Sequence, residues 1–183
     1  MHEERDIDAA MSRYAAGDDR AFNVVYDGLA PRLYAYALRR TRDRSRAEDV
    51  VQHTLLRMHC NRGQFRDGAH ALPWAYAIAH HLLVDGWRHH ARGTPDLHGE
   101  APPPADEVLT AAATARQIDD ELARMPESQR TAFELLKLEG LSLQEAADCL
   151  GISVTAVKLR AHRAYKAIHL ALGDIVDTVP HAH

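Results

Sequence analysis

A chain of 183 residues, 46% of them hydrophobic and 26% charged, has the make-up of a globular protein of one average or two small domains, which excludes disorder throughout. No run approaches the roughly 20 apolar residues of a bilayer span, and the acidic, interrupted start "MHEERDIDAAMSRY" is unlike a secretory signal, so no membrane insertion and a cytoplasmic location are expected. Cys60 and Cys149 have no metal-type spacing; the expectation is two reduced, partly buried thiols rather than a disulfide framework.

The net charge of −4 is unevenly spread. Residues 1–28 carry 3 basic and 7 acidic side chains, residues 29–92 carry 11 and 5, residues 93–121 carry 1 and 7, and residues 122–172 carry 7 and 5. Two basic segments separated by an acidic one suggest two modules that face a polyanion, with a connector between them.

In chain order, the acidic first 18 residues carry no decisive pattern. A helix over about 19–41 is expected, with Phe22, Val25, Tyr26, Leu29, Leu33, Tyr36 and Ala37 on its apolar face. Ser45-x-x-Glu48 has the form of a capping box and predicts a helix start. Ala47, Val50, Val51, Thr54, Leu55 and Met58 then form an inward stripe that leaves Asp49, Gln52, His53 and Arg57 outward. Gly63 and Gly68 bracket a loop, and Pro73 suits the first turn of a long helix ending near Ala91. "RGTPDLHGEAPPPADE", residues 92–107, holds two glycines and four prolines without apolar periodicity and reads as a flexible acidic linker.

Beyond it, helices are expected over 106–124 and from Pro126 to Glu139, stopped by Gly140. Ser142-x-x-Glu145 is a second capping box before a short helix over 143–150. Gly151 ends that helix, and Ser153 caps a last helix running to about Leu172. The expected fold is all-α, with a helical domain over 1–92, a linker over 93–105, a second domain over 106–173 and a tail over 174–183.

Two short helices joined by a glycine turn, with small Ala147 at the crossing and Leu150, Ile152 and Val157 filling the junction, make a helix-turn-helix. Such a unit lays its second helix in the major groove of DNA, where the N-terminal half meets base edges and Lys or Arg hold phosphates. With Val157, Ala161, Ala164 and Ile168 inward, Thr155, Lys158, Leu159 and His162 face out, bordered by Arg160, Arg163 and Lys166. From Gly151 to Leu172 there is no Asp or Glu, which removes repulsion against phosphates.

"MPESQRTAFELLKLEGLSLQEAADCLGISVTAVKLRAHRAYKAI" resembles the fourth conserved region of sigma factors of the extracytoplasmic-function (ECF) type. "FNVVYDGLAPRLYAYALRRTRDRSRAEDVVQHTLLRMH" with "WAYAIAHHLLVDGWRHHAR" is similar to their second region, so that the resemblance covers about residues 20 to 172. It implies a subunit that joins RNA polymerase core and directs promoter recognition and transcription initiation, with no cofactor and no chemistry of its own. By the same resemblance, Asp49, Gln52, His53 and Arg57 dock on the clamp coiled coil of the polymerase beta-prime subunit, and the beta flap is a further contact. Gln64, Trp74, Tyr76, Ala77, His80, His81 and Arg88 serve the −10 element, where a base is extruded during melting. Ser153, Thr155, Lys158, Leu159, Arg160, His162 and Arg163 serve the −35 element of the promoter DNA. An anti-sigma factor covering both domains is a further implied partner.

The chain departs from the family pattern at several of these positions. His53 stands where relatives usually have Glu, which removes a charged contact to the polymerase. Leu159 replaces a small polar residue and offers only apolar contact, for example to a thymine methyl. Ala77 and His80 stand at common Arg positions and His81 at a common Asn position; weaker, pH-sensitive cations there imply less autonomous melting. Trp74 and Tyr76 read equally well as core aromatics.

Two other readings stay open. One is a helix-turn-helix regulator without sigma activity. The other is a histidine-based metal protein, since the chain has 13 histidines and places His81, Asp85 and His89 at i, i+4 and i+8. No nucleophile, phosphate loop or carboxylate pair accompanies them, so an enzyme is not expected.

Overall fold

A computed structural model describes residues 2–66, 68–90 and 109–172, with side chains over 5–66, 68–85 and 117–171. Among the described residues there are eight α-helices and no strands, and the chain divides into two compact units, Met1–Pro102 and Pro103–His183. The segment read as a linker and the tail over 174–183 lie outside the described residues. No helix among the described residues is long and apolar enough to cross a membrane.

The first unit contains α1 (His2–Ala15), α2 (Phe22–Thr41), α3 (Arg44–Cys60) and α4 (Ala71–His90). Helix α1 is an addition to the sequence reading. It buries Ile7, Ala10, Met11 and Tyr14, a stripe at i, i+3, i+4 and i+7. It lies close to α2 because Gly28 has no side chain; a Cβ there would come within 2.6 Å of Ile7 Cδ1 and Cγ1. A single 3₁₀ turn, Asp19–Ala21, leads into α2. Val25, Leu29, Leu33, Tyr36 and Ala37 of α2 are buried as expected, but Tyr26 is exposed, because the inward stripe is narrower than the run of apolar residues.

Helix α3 begins two residues earlier than Ser45 indicates. Asp43, in extended conformation, is the N-cap, and its carboxylate accepts from Arg46 N–H at 3.0 Å. The corner before it is closed by Arg42 in the left-handed region (φ 53°), whose N–H donates to Leu38 O. Ala47, Val51, Thr54, Leu55 and Met58 form the buried face of α3, and Leu72, Ala75, Tyr76, Ala79 and Leu83 that of α4.

The second unit packs α5 (Leu109–Arg124), α6 (Glu127–Phe133) and α7 (Leu143–Leu150) against α8 (Val154–Leu172). Leu122, Phe133, Ala164 and Ile168 form a core cluster, flanked by Ile118, Met125 and Tyr165. The helix expected to run unbroken to Glu139 instead widens into a π-turn over Glu134–Leu138, with Glu139 N–H donating to Glu134 O at 3.0 Å. Glu134 is buried there, its Oε1 4.0 Å from Arg130 Nε.

The cysteines differ from the expectation in one respect. Cys149 is buried, and desolvation pushes its thiol up to about 12, whereas Cys60 is exposed at the end of α3.

Candidate functional site

Three surfaces gather the residues singled out in the sequence. The first is the outward face of α3. Asp49, Gln52, His53 and Arg57 are all exposed on it, as the 3.6-residue period requires once Val51, Leu55 and Met58 face the core. His53 Nδ1 lies 2.7 Å from Asp49 O. A carbonyl oxygen only accepts, so Nδ1 carries the proton and Nε2 of the neutral ring is left as an acceptor.

Leu56, which the sequence reading did not single out, is also on this face and 56% exposed. It borders a groove of about 480 Å³ shared with Tyr14, Phe22, His59 and Arg62. The signal for it was an apolar residue between two outward polar ones, Gln52 and Arg57, at helical spacing.

The second surface lies on α4 and the turn before it. Trp74, Ala77 and His81, at i, i+3 and i+7, share one stripe, with Arg88 a further seven positions along; the side chain of Arg88 lies outside the described residues. Trp74 is half-buried against Phe65, ring centroids 5.6 Å apart. Gln64 is exposed and its Nε2 donates to Asn61 Oδ1 at 3.3 Å. His81 Nδ1 donates to Ala77 O at 2.6 Å, which again leaves Nε2 as the outward acceptor.

Two expectations for this surface are corrected. Tyr76 is fully buried, edge-on to Tyr36 at 5.2 Å, and belongs to the core rather than to a DNA-facing surface. His80 is no cation near neutrality: desolvation, then the charge of Arg40, then His81 lower it from 6.5 to about 4. Arg40 itself is buried, with its guanidinium 5.7 Å from the Tyr36 ring centroid.

The third surface is the helix-turn-helix. Ser142 and Glu145 form the expected capping box: Ser142 N–H donates to Glu145 Oε2 at 2.7 Å and Glu145 N–H to Ser142 Oγ at 3.2 Å. At the other end of α7, Gly151 sits at φ 63°. Ile152 N–H donates to Ala147 O and Gly151 N–H to Asp148 O, the paired bonds of a Schellman turn. A left-handed residue suits glycine because a Cβ there is strained.

Ser153 Oγ accepts from Ala156 N–H at 3.2 Å and starts α8. Val157, Ala164 and Ile168 are buried, while Thr155, Lys158, Leu159, His162, Arg163 and Lys166 are exposed and Arg160 is half-exposed. Ser153 is exposed beside them. Leu159 is 49% exposed, an apolar side chain amid cations with no carboxylate on the helix.

Among the described residues no three His, Cys, Asp or Glu side chains converge, and the side chain of His89 lies outside them.

Comparison with known proteins gives these surfaces a context. Residues 25–93 match the family model described as Sigma-70 region 2, and residues 115–168 that described as Sigma-70, region 4. The chain is 36% identical over 167 residues to the ECF RNA polymerase sigma factor SigF of Caulobacter vibrioides, covering 90% of this chain and 93% of that protein. It is 31% identical over 174 residues to the RNA polymerase sigma factor CarQ of Myxococcus xanthus, covering 90% and 97%. Among solved structures, it is similar in fold to the sigma factor RpoE in complex with the anti-sigma factor NepR from Bartonella quintana (TM-score 0.69, 22% identity, 82% of this chain and 96% of that chain). It is also similar to CnrH in complex with the cytosolic domain of CnrY (TM-score 0.69, 22% identity, 91% and 97%).

Proposed function

The chain belongs to the ECF-type RNA polymerase sigma factors, and from that premise we propose how its surfaces divide the work of initiation. As a sigma factor it binds RNA polymerase core and directs promoter recognition and transcription initiation. The family is one of initiation factors; the bond-making belongs to the polymerase.

The outward face of α3 docks on the clamp coiled coil of the beta-prime subunit through Asp49, Gln52, His53 and Arg57. His53 stands where relatives carry a carboxylate; with Nδ1 bonded to Asp49 O it has Nε2 to offer a partner, and the negative charge is gone. The second unit meets the beta flap and the −35 element. The α4 stripe of Trp74, Ala77 and His81, with Gln64 in the preceding turn, receives the −10 element. Extruding a base there costs a few kcal/mol of stacking, to be offset by a shaped pocket. An anti-sigma factor is the regulatory partner, and the cytoplasm is where polymerase is met.

The observation that carries the reading is α8. Thr155, Lys158, Leu159 and His162 are exposed together on a helix without a single carboxylate, fixed at its start by a capped glycine turn. In the major groove this face gives Lys158 and His162 to base edges and Leu159 to a thymine methyl, while Arg160, Arg163 and Lys166 hold phosphates.

The test is run-off transcription with core polymerase on a genomic fragment library, which yields the promoter at once. The wild-type chain programs core. Lys158→Ala loses transcription selectively at the chain's own promoter, and Lys166→Ala lowers binding with little change of sequence preference. Equal loss on all promoters from Lys158→Ala would remove that residue from readout. A chain that binds duplex DNA tightly alone and fails to program core would be a helix-turn-helix regulator instead.

A further inference from the structure

Helix α1 is fastened to the chain at both ends of the segment that separates α3 from α4. At one end, the Tyr14 hydroxyl is hydrogen-bonded to His59 Nδ1 in the last turn of α3, and the Arg62 guanidinium lies 5.6 Å from the Tyr14 ring centroid. At the other end, 62 and 63 positions along the chain, the Asp8 carboxylate takes two bonds. Oδ2 accepts from His70 Nδ1 at 2.8 Å, and Oδ1 accepts from Ala71 N–H, also at 2.8 Å.

Ala71 is the first residue of α4, so Asp8 satisfies one of the free N–H groups at that helix start and sets a negative charge against the positive end of the helix dipole. The capping residue of α4 thus comes from another helix, and Ile7, its neighbour in α1, is locked over Gly28 of α2.

From this geometry we propose that α1 is a bracket that holds the −10-reading surface in shape, and that Asp8 is the positioning residue in it. The inference rests on the sigma-factor reading above. Gln64 and Phe65 lie between the two fastenings along the chain, and Trp74, whose ring packs on Phe65, starts the Trp74–Ala77–His81 stripe one turn beyond Ala71. A base extruded into this surface gains affinity only where the lining is already in place, since ordering it on binding subtracts from the contacts made. Asp8 touches neither DNA nor polymerase in this account. It acts by fixing where α4 begins, and so by fixing the separation between the turn and the stripe.

The experiment uses holoenzyme reconstituted from core polymerase and the full-length chain. Its probe is a single-stranded oligonucleotide carrying the non-template −10 sequence of the promoter found by run-off transcription, alongside copies altered at the extruded base. Asp8→Ala lowers oligonucleotide affinity about tenfold and narrows the discrimination between the matched and altered probes, with core affinity unchanged. Asp8→Asn retains an oxygen for the Ala71 N–H and loses less. His70→Ala, at a side chain 63% exposed and so removable without opening the core, shifts affinity and discrimination in the same direction by about threefold.

Wild-type affinity and discrimination in both Asp8→Ala and His70→Ala would overturn the proposal. So would a loss of oligonucleotide binding matched by an equal loss of core binding. A wild-type holoenzyme that ignores the oligonucleotide would instead overturn the assignment of the −10 element to the α4 surface, and the bracket with it.

Discussion

At the scale of single residues, burial decides which side chains of α4 serve the surface and which serve the fold. His80 is the clearest case. In the folded chain it stays neutral down to about pH 4, while in the unfolded chain it titrates near 6.5. As pH falls below 6.5 the unfolded state therefore takes up a proton that the native state refuses. The stability contributed by the neutral ring is complete above 6.5 and is lost progressively towards 4. Thermal unfolding of the wild type is expected to weaken between pH 7 and 5 more than that of His80→Leu; parallel slopes for the two would contradict the burial of this imidazole. The outward residues of α8 were legible in the sequence because a single apolar stripe, Val157, Ala164 and Ile168, leaves no choice of face. Tyr76 was not, since aromatic residues at 74 and 76 point to different sides of a helix and composition does not say which side is the core. The two histidine tautomers were equally out of reach, because they depend on backbone carbonyls one turn back.

At the scale of elements, the ends of helices were less legible than their bodies. Ser142 and Glu145 read as a capping box and are one, whereas the same four-residue spacing at Ser45 and Glu48 is not used. There Asp43 takes the N-cap because Arg42, in the left-handed region, turns the chain two residues earlier, and an arginine gives no hint of that conformation. Asp43→Ala is expected to cost about 1 kcal/mol in urea unfolding, and Ser45→Ala almost nothing. The reverse order would restore the helix start that the serine suggests. The π-turn at Glu134–Leu138 has no signature in the sequence either, since widening by one residue preserves the apolar pattern on both sides of it. Helix α1 did carry a signal, Ile7, Ala10, Met11 and Tyr14 at helical spacing, but it is masked by a segment rich in acidic residues.

For the molecule as a whole, the segregation of charge suggested two modules, and the chain does divide into two compact units; the proline-rich stretch read as the linker lies outside the described residues. A polypeptide with net charge −4, in which α8 alone among the described α-helices lacks Asp and Glu, is poorly suited to hold duplex DNA by itself. On the proposed division of work, two small DNA-facing surfaces become effective when one large partner holds both, because the second contact is then intramolecular. The account therefore places the polymerase before the promoter in the order of binding. The most direct test is competition for core RNA polymerase between this chain and a known ECF sigma factor, followed by promoter binding with and without core. The account predicts that the chain displaces the relative from core and binds its promoter only in that company. Core that accepts the relative and ignores this chain, or free chain that binds the duplex promoter as tightly as the holoenzyme does, would contradict it.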